Sequence, residues 1–150
     1  MRFLDANVFI YAYYKPKKPL TECERQMKEQ AKEIISNVSQ GKEDVITSVV
    51  HVSEVANILK HGLSPDQLTA TIRGLFMLNN VKIIGVTAEA YFAAVELGED
   101  LKLEVNDALA VDIMKTNNVK EIYSFDEHFD QVDAITKLPT PKTKIKAPFP

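Results

Sequence analysis

Residues 1–13 read MRFLDANVFIYAY. The apolar pair Phe3-Leu4 runs into Asp5, and Val8-Phe9-Ile10 then resumes the apolar pattern. A carboxylate at the junction of two apolar segments is costly if it is buried without a partner. Two roles justify it: Asp5 caps the helix that follows, or it stands at the mouth of a site that needs negative charge. Residues 2–4 read as a strand and about 7–13 as a short helix, so the chain opens on a strand–helix step. The fold turns on whether that step repeats.

It does repeat. Thr21-Glu22-Cys23-Glu24 has the form of a capping box. It opens a helix that carries Met27, Ala31, Ile34, Ile35 and Val38 on one stripe until Gly41 ends it. Residues 44–48, DVITS, form a second strand, and helix follows to about Lys60, stopped near Gly62. Ser64-Pro65 is a cap with a first-turn proline, and that helix is expected to reach Leu78. VKIIGV (81–86) is a third strand, and Thr87 caps a helix running toward Leu101. A further helix covers about 106–116. EIYSF (121–125) is a fourth strand with a short helix from Asp126, and AIT (134–136) is expected as a fifth, edge strand. Strands alternating with helices predict an α/β fold: a central, mainly parallel sheet of four to five strands flanked by helices.

Composition bounds the rest. The chain has 150 residues, 45% of them hydrophobic, enough for one globular domain with a real core. No apolar run approaches the roughly 18–20 residues of a membrane span, and the first residues lack the pattern of a secretory signal. The single cysteine, Cys23, makes no internal disulfide and rules out a cysteine-built zinc site. A cytoplasmic location is the expectation. The net charge of −3 argues against bulk electrostatic grip on nucleic acid. Two basic knots depart from that balance: KPKK at 15–18, and a tail with Lys137, Lys142, Lys144 and Lys146 but no acid after Ala134. Both read as solvated segments. We divide the chain into a domain over 1–138 and an extended basic tail over 139–150.

In parallel α/β folds, ligands bind beyond the carboxyl ends of the strands. Asp5 ends the first strand. Glu54 follows Ser48, the end of the second, by six residues. Asp107 lies in the first turn of the helix at about 106–116, and Asp126 follows the fourth strand in Ser124-Phe125-Asp126. Taken singly, Asp5 and Asp126 read as helix caps, Asp107 as a complement to a helix dipole, and Glu54 as a surface acid. Taken together, four acids at one sheet edge predict a site. Clustered carboxylates raise one another's pKa and persist as anions with a cation. Oxygen ligands without Cys or His suit Mg²⁺ or Mn²⁺, and the common chemistry of such sites is phosphodiester hydrolysis. Asp5, Asp107 and Asp126 are the expected metal ligands, and Glu54 is expected to hold a second ion or a water. Asn7, Ser48 and Ser124 are expected to orient the acids or their waters.

Other features carry less. His51, His61 and His128 have no metal-binding spacing and read as packing or surface residues. Neither a glycine-rich dinucleotide fingerprint nor a P-loop is present. Tyr11, Tyr13 and Tyr14 read as packing rather than as base-stacking platforms. Asp112, about 140° round the helix from Asp107, faces elsewhere, and Asp130 reads as a solvated acid.

The segments FLDANVFIYAY, ITSVVHVSEVANIL, NDALAVDIMKTNNVKEIYSFDEHFD and ITKL together resemble the PIN domain, in its VapC-type toxin branch. The resemblance covers nearly the whole chain apart from about the last ten residues. It matches Asp5 and Asn7 after the first strand, Ser48 and Glu54 around the second, Asp107 at a later helix start, and Ser124 with Asp126, with Phe129 at the aromatic position. Ala6 departs from it, standing where the family often has Ser or Thr. The resemblance implies a Mg²⁺- or Mn²⁺-dependent endoribonuclease, a homodimer, acting on RNA and leaving 5′-phosphate and 3′-hydroxyl ends; single-stranded RNA is the expected substrate, because exposed bases and a flexible backbone reach a shallow edge most easily. It also implies inhibition by a cognate antitoxin protein; an arginine of that protein is expected to reach Asp5 or Asp107, because a guanidinium matches carboxylates bidentately. The helix at about 65–78, with Leu68, Ile72, Leu75, Phe76 and Leu78, is the expected dimer surface. The alternatives are a PIN nuclease of RNA maturation or repair without an antitoxin, and a catalytically inactive binding protein of this fold.

Overall fold

Successive side chains of a strand point to opposite faces of the sheet. In β1 (Arg2–Leu4), Phe3 and Leu4 are both fully buried, but in different cores. The computed structural model describes residues 1–14 and 16–140. Val45 and Ile46 of β2 (Val45–Ser48) and Ile122 and Tyr123 of β4 (Glu121–Tyr123) divide in the same way. With β3 (Val81–Ile84) and β5 (Thr136–Leu138) they form one five-stranded sheet, order β3-β2-β1-β4-β5, every pair parallel. A sheet whose central strands are apolar on both faces must be covered on both faces.

Leu4, Val45, Val81 and Tyr123 share one core with α1 (Ala6–Tyr13), α2 (Glu22–Ser39), α3 (Val49–Leu59) and α4 (Pro65–Phe76). The stripe Ala31, Ile34, Ile35 and Val38 of α2 is buried there as its spacing predicts. Phe3, Ile46 and Ile122 share the other core with α5 (Ala88–Leu101), α6 (Val105–Thr116) and Phe129 of a 3₁₀ turn over Glu127–Gln131. Among the described residues no helix is long and apolar enough to cross a membrane.

Element boundaries differ from the sequence reading in a few places, each with a local cause. The first capping box closes by half, Thr21 Oγ1 accepting from the Glu24 amide at 3.2 Å. The full reciprocal box forms at Ser64 and Gln67. β5 starts at Thr136 rather than Ala134, because Ala134 has φ 68° and turns the chain before pairing begins. Strands β3 and β4 are shorter than expected, and α4 ends at Phe76. Ile58 is 42% exposed, since Val52, Val55 and Leu59 occupy the inward stripe of α3. Tyr13 and Tyr14 are exposed, whereas Tyr11 packs edge-on against Phe125 with ring centroids 5.2 Å apart. The basic tail over 141–150 lies outside the described residues, as does Lys15.

The order of the strands creates the site. From β1 the chain moves to β2 and β3 on one side, then crosses to β4 and β5 on the other. The crevice at such a reversal, at the carboxyl ends of β1 and β4, is where parallel sheets take ligands. Asp5 and Ser124 are the residues that follow those two strands.

Candidate active site

Asp5 caps a helix and also lines an open cavity. Asp5 is the N-cap of α1: its Oδ1 accepts from the Ala6 amide at 2.8 Å. Its Oδ2 accepts from the Ser124 hydroxyl at 2.7 Å. Both bonds favour the charged form, yet burial outweighs them and pushes the carboxyl up to about 6. Ser124 also takes the Asp126 amide at 3.0 Å and, at 3.4 Å, the side-chain amide of Asn7. Asn7 Oδ1 in turn accepts from the Phe125 amide at 3.3 Å. One hydroxyl and one carboxamide therefore knit the ends of β1 and β4 into a single unit. Asp126 caps the 3₁₀ turn, its Oδ1 accepting from the His128 amide at 2.9 Å.

Asp107 is different. It sits in the first turn of α6, buried, and its Oδ2 has no hydrogen-bond partner among the described residues. Burial first, then the charges of Asp5, Asp126 and Glu104, push its carboxyl up to about 8. Protonated, it can donate to Asp126; ionised, its Oδ2 meets no donor among the described residues. Glu54, on α3, is held by the side-chain amide of Asn106, whose Oδ1 accepts from the Tyr91 hydroxyl at 2.7 Å. Burial raises its pKa as well.

Asp5, Asn7, Glu54, Asp107 and Asp126 line one open cavity of about 340 Å³, with Ile10, Tyr91, Glu104, Val105 and Asn106. The structure thus brings all four sequence-selected acids to one wall. Ser124 stands behind that wall as described. Ser48 does not join it: fully buried, it caps α3 by accepting the His51 amide and bonds the His51 ring at 2.6 Å. Asp112 is not among the lining residues, and Asp130 pairs at the surface with Lys137 at 3.0 Å.

Sequence reasoning passed over four contributors. Glu104 and Asn106 flank Asp107 and were legible only as its neighbours. Tyr91, from α5, carries no local signal at all. His128 was set aside for want of a histidine spacing, but its Nδ1 lies 3.0 Å from Asp126 Oδ1 and 3.9 Å from Asp107 Oδ2. The ligand atoms of Asp107, Asp126 and His128 all lie within 4.8 Å of one another.

A family model of the PIN domain matches residues 2–135. The chain belongs to the PIN domain family. Among curated proteins, none matches the sequence. Solved structures of the same fold do. The Mycobacterium tuberculosis VapC20 toxin, described as cleaving the sarcin–ricin loop, superposes with a TM-score of 0.63 at 16% identity, over 87% of this chain and 93% of its own. A toxin–antitoxin complex from Klebsiella pneumoniae gives 0.62 at 13% identity, over 91% and 96%. VapBC2 of Rickettsia felis, bound to a fragment of its promoter DNA, gives 0.59 at 16%, again over 91% and 96%. This PIN domain therefore has the fold of the VapC-type toxins, and its acidic wall lies where the PIN sheet reverses direction.

Proposed function

We propose that this PIN domain is a divalent-cation-dependent endoribonuclease acting as the toxin of a toxin–antitoxin pair. One observation carries the reading: Asp107 Oδ2 is buried without a hydrogen-bond partner among the described residues, while Asp5 and Asp126 raise the pKa of the same carboxyl. Such a cluster persists as anions at neutral pH when a cation shares it. Three carboxylates fit a hard divalent ion, and Asp5, Asp107 and Asp126 would hold Mg²⁺ or Mn²⁺. A bound ion of this kind neutralises charge on a phosphodiester and lowers the pKa of its water.

The protein's own groups do the rest. Ser124 and the Ala6 amide hold the two oxygens of Asp5, so that the carboxylate meets its ligand without rearranging. Asn7 ties β1 to Phe125 and keeps Asp5 and Asp126 at a fixed separation. Glu54, oriented by Asn106 in the same cavity, would hold a second ion or a water. The cavity is open and shallow, which suits a single strand whose backbone can bend into it. Family membership supports the nuclease assignment, and the toxin–antitoxin assemblies among the structural neighbours support a protein inhibitor. A homodimer and a cytoplasmic location belong to the same reading. For the dimer surface, α4 offers less than its sequence suggests. Leu75 is buried and Leu68, Ile72 and Leu78 pack on the core, leaving Phe76 at 55% and the adjoining Met77 at 74% exposure.

The test has two arms. Calorimetry with Mn²⁺ on wild type and Asp5→Asn should show binding that the substitution weakens. Cleavage of a single-stranded RNA should stop with EDTA and in Asp107→Ala. Equal binding in wild type and Asp5→Asn, or cleavage indifferent to EDTA, would overturn the assignment.

A further inference from the structure

The contact between His128 and the acid wall is built by the chain's own turn. Asp126 accepts the His128 amide at 2.9 Å, and that same turn brings the ring back so that Nδ1 reaches Asp126 Oδ1 at 3.0 Å. A hydrogen bond between them accounts for this distance. It leaves Asp107 unexplained, because His128 Nδ1 is 3.9 Å from Asp107 Oδ2, beyond hydrogen-bond reach, and that buried oxygen has no hydrogen-bond partner among the described residues. A shared ion accounts for all three atoms. Two donors about 2.1 Å from one ion stand between about 3 and 4.2 Å apart, according to the angle between them. Both His128 distances fall in that range.

A nitrogen in the ligand set changes which ion is held. Mg²⁺ prefers oxygen and keeps its waters, whereas Mn²⁺, though also suited to carboxylates, accepts an imidazole nitrogen more readily, and its later transition-series neighbours more readily still. We propose that His128 is a nitrogen ligand of this site, and that it gives the site a preference for Mn²⁺ and its transition-series neighbours over Mg²⁺. The proposal rests on the metal-nuclease reading above and narrows it: of the two ions expected there, Mn²⁺ is the resident one.

The experiment compares the full chain with His128→Ala in calorimetric titrations with MnCl₂ and with MgCl₂, followed by electron spin-echo measurement on the Mn²⁺-loaded proteins. The His128 side chain is 56% exposed, so the variant should melt like wild type. Its Mn²⁺ affinity should drop by at least the roughly tenfold that even an outer partner of a metal ligand costs, while its Mg²⁺ affinity changes little. Wild type should show imidazole-nitrogen modulation on the Mn²⁺ signal, and His128→Ala should not. An unchanged ratio of Mn²⁺ to Mg²⁺ affinity, or no nitrogen coupling in a wild type that does bind Mn²⁺, overturns the role of His128 alone. A wild type that binds neither ion overturns the metal-nuclease reading itself.

Discussion

His51 Nε2 stands 3.1 Å from the carbonyl oxygen of Asn106, tying α3 to the first turn of α6 one residue before Asp107. A carbonyl only accepts, so Nε2 carries the proton. Nδ1 then accepts from the Ser48 hydroxyl at 2.6 Å. Burial lowers the pKa of the ring and keeps it in this neutral tautomer. The ring also meets Phe3 edge-on, with centroids 5.0 Å apart.

Replacing His51 by Phe keeps the apolar contacts but strands the Ser48 hydroxyl and the Asn106 carbonyl. The expected loss is about 1–3 kcal/mol, read from urea denaturation. Metal affinity should fall too, because the turn that aims Asp107 loses its tether. His51→Gln, which can still donate to the carbonyl, should recover part of both. A His51→Phe protein as stable as wild type would show that the tether carries no strain-bearing load.

The raised carboxyl of Asp107 predicts how the metal-free protein responds to pH. An unfolded aspartate titrates near about 4, whereas folded Asp107 titrates at about 8 and Asp5 at about 6. Between these values the folded chain holds more protons than the unfolded one, so stability falls as pH rises. The contribution of these two groups is complete below about pH 4 and is lost by about pH 8. In EDTA the melting temperature should be lower at pH 8 than at pH 5. Asp107→Asn should flatten that difference, and Mn²⁺ should raise the melting temperature most at pH 8.

Ser124→Ala removes one of the two hydrogen bonds that favour charged Asp5. Its carboxyl should titrate higher still. The acid limb of the activity profile should therefore move toward higher pH, with cleavage recovering at alkaline pH. A uniform loss at every pH would instead point to a role confined to structure.

Gly98 closes the joint between α5 and α6. A Cβ there would stand 2.7 Å from the Leu103 carbonyl oxygen and 3.5 Å from Ala108 Cβ. The obstacle is backbone and cannot swing aside. Lys102, at φ 57°, makes the tight turn that brings Leu103 so near. Gly98→Ala should therefore cost about 1–3 kcal/mol and lower the melting temperature by several degrees, with some loss of activity because α6 carries Asp107.

If the protein is a homodimer, light scattering should give about twice the chain mass of 16.9 kDa. Phe76→Glu with Met77→Glu, on the exposed end of α4, should return it to one chain mass without affecting the fold, since neither side chain is buried.

The sequence alone determined the alternation of strands and helices, the buried stripe of α2, and the placing of four acids at one edge of the sheet. These are local properties: hydrophobic period, capping residues, and carboxylates just after apolar strands are all written in neighbouring residues. It also determined that Asp5 and Asp126 sit at helix starts, though it could not say that these capping acids also line one cavity. Only the tertiary structure decided that α4 spends most of its apolar side chains on the core, since its pattern is the same whether a helix packs inward or against a second chain. Only packing carried Ser48 away from the acids and into the hands of His51. The cavity's remaining walls were likewise illegible. Tyr91 and Asn106 stand fifteen residues apart on different helices, and His128 comes near Asp107 across twenty-one positions. Proximity of that kind arises from how the sheet reverses and how the helices cover it, and no spacing within the chain records it.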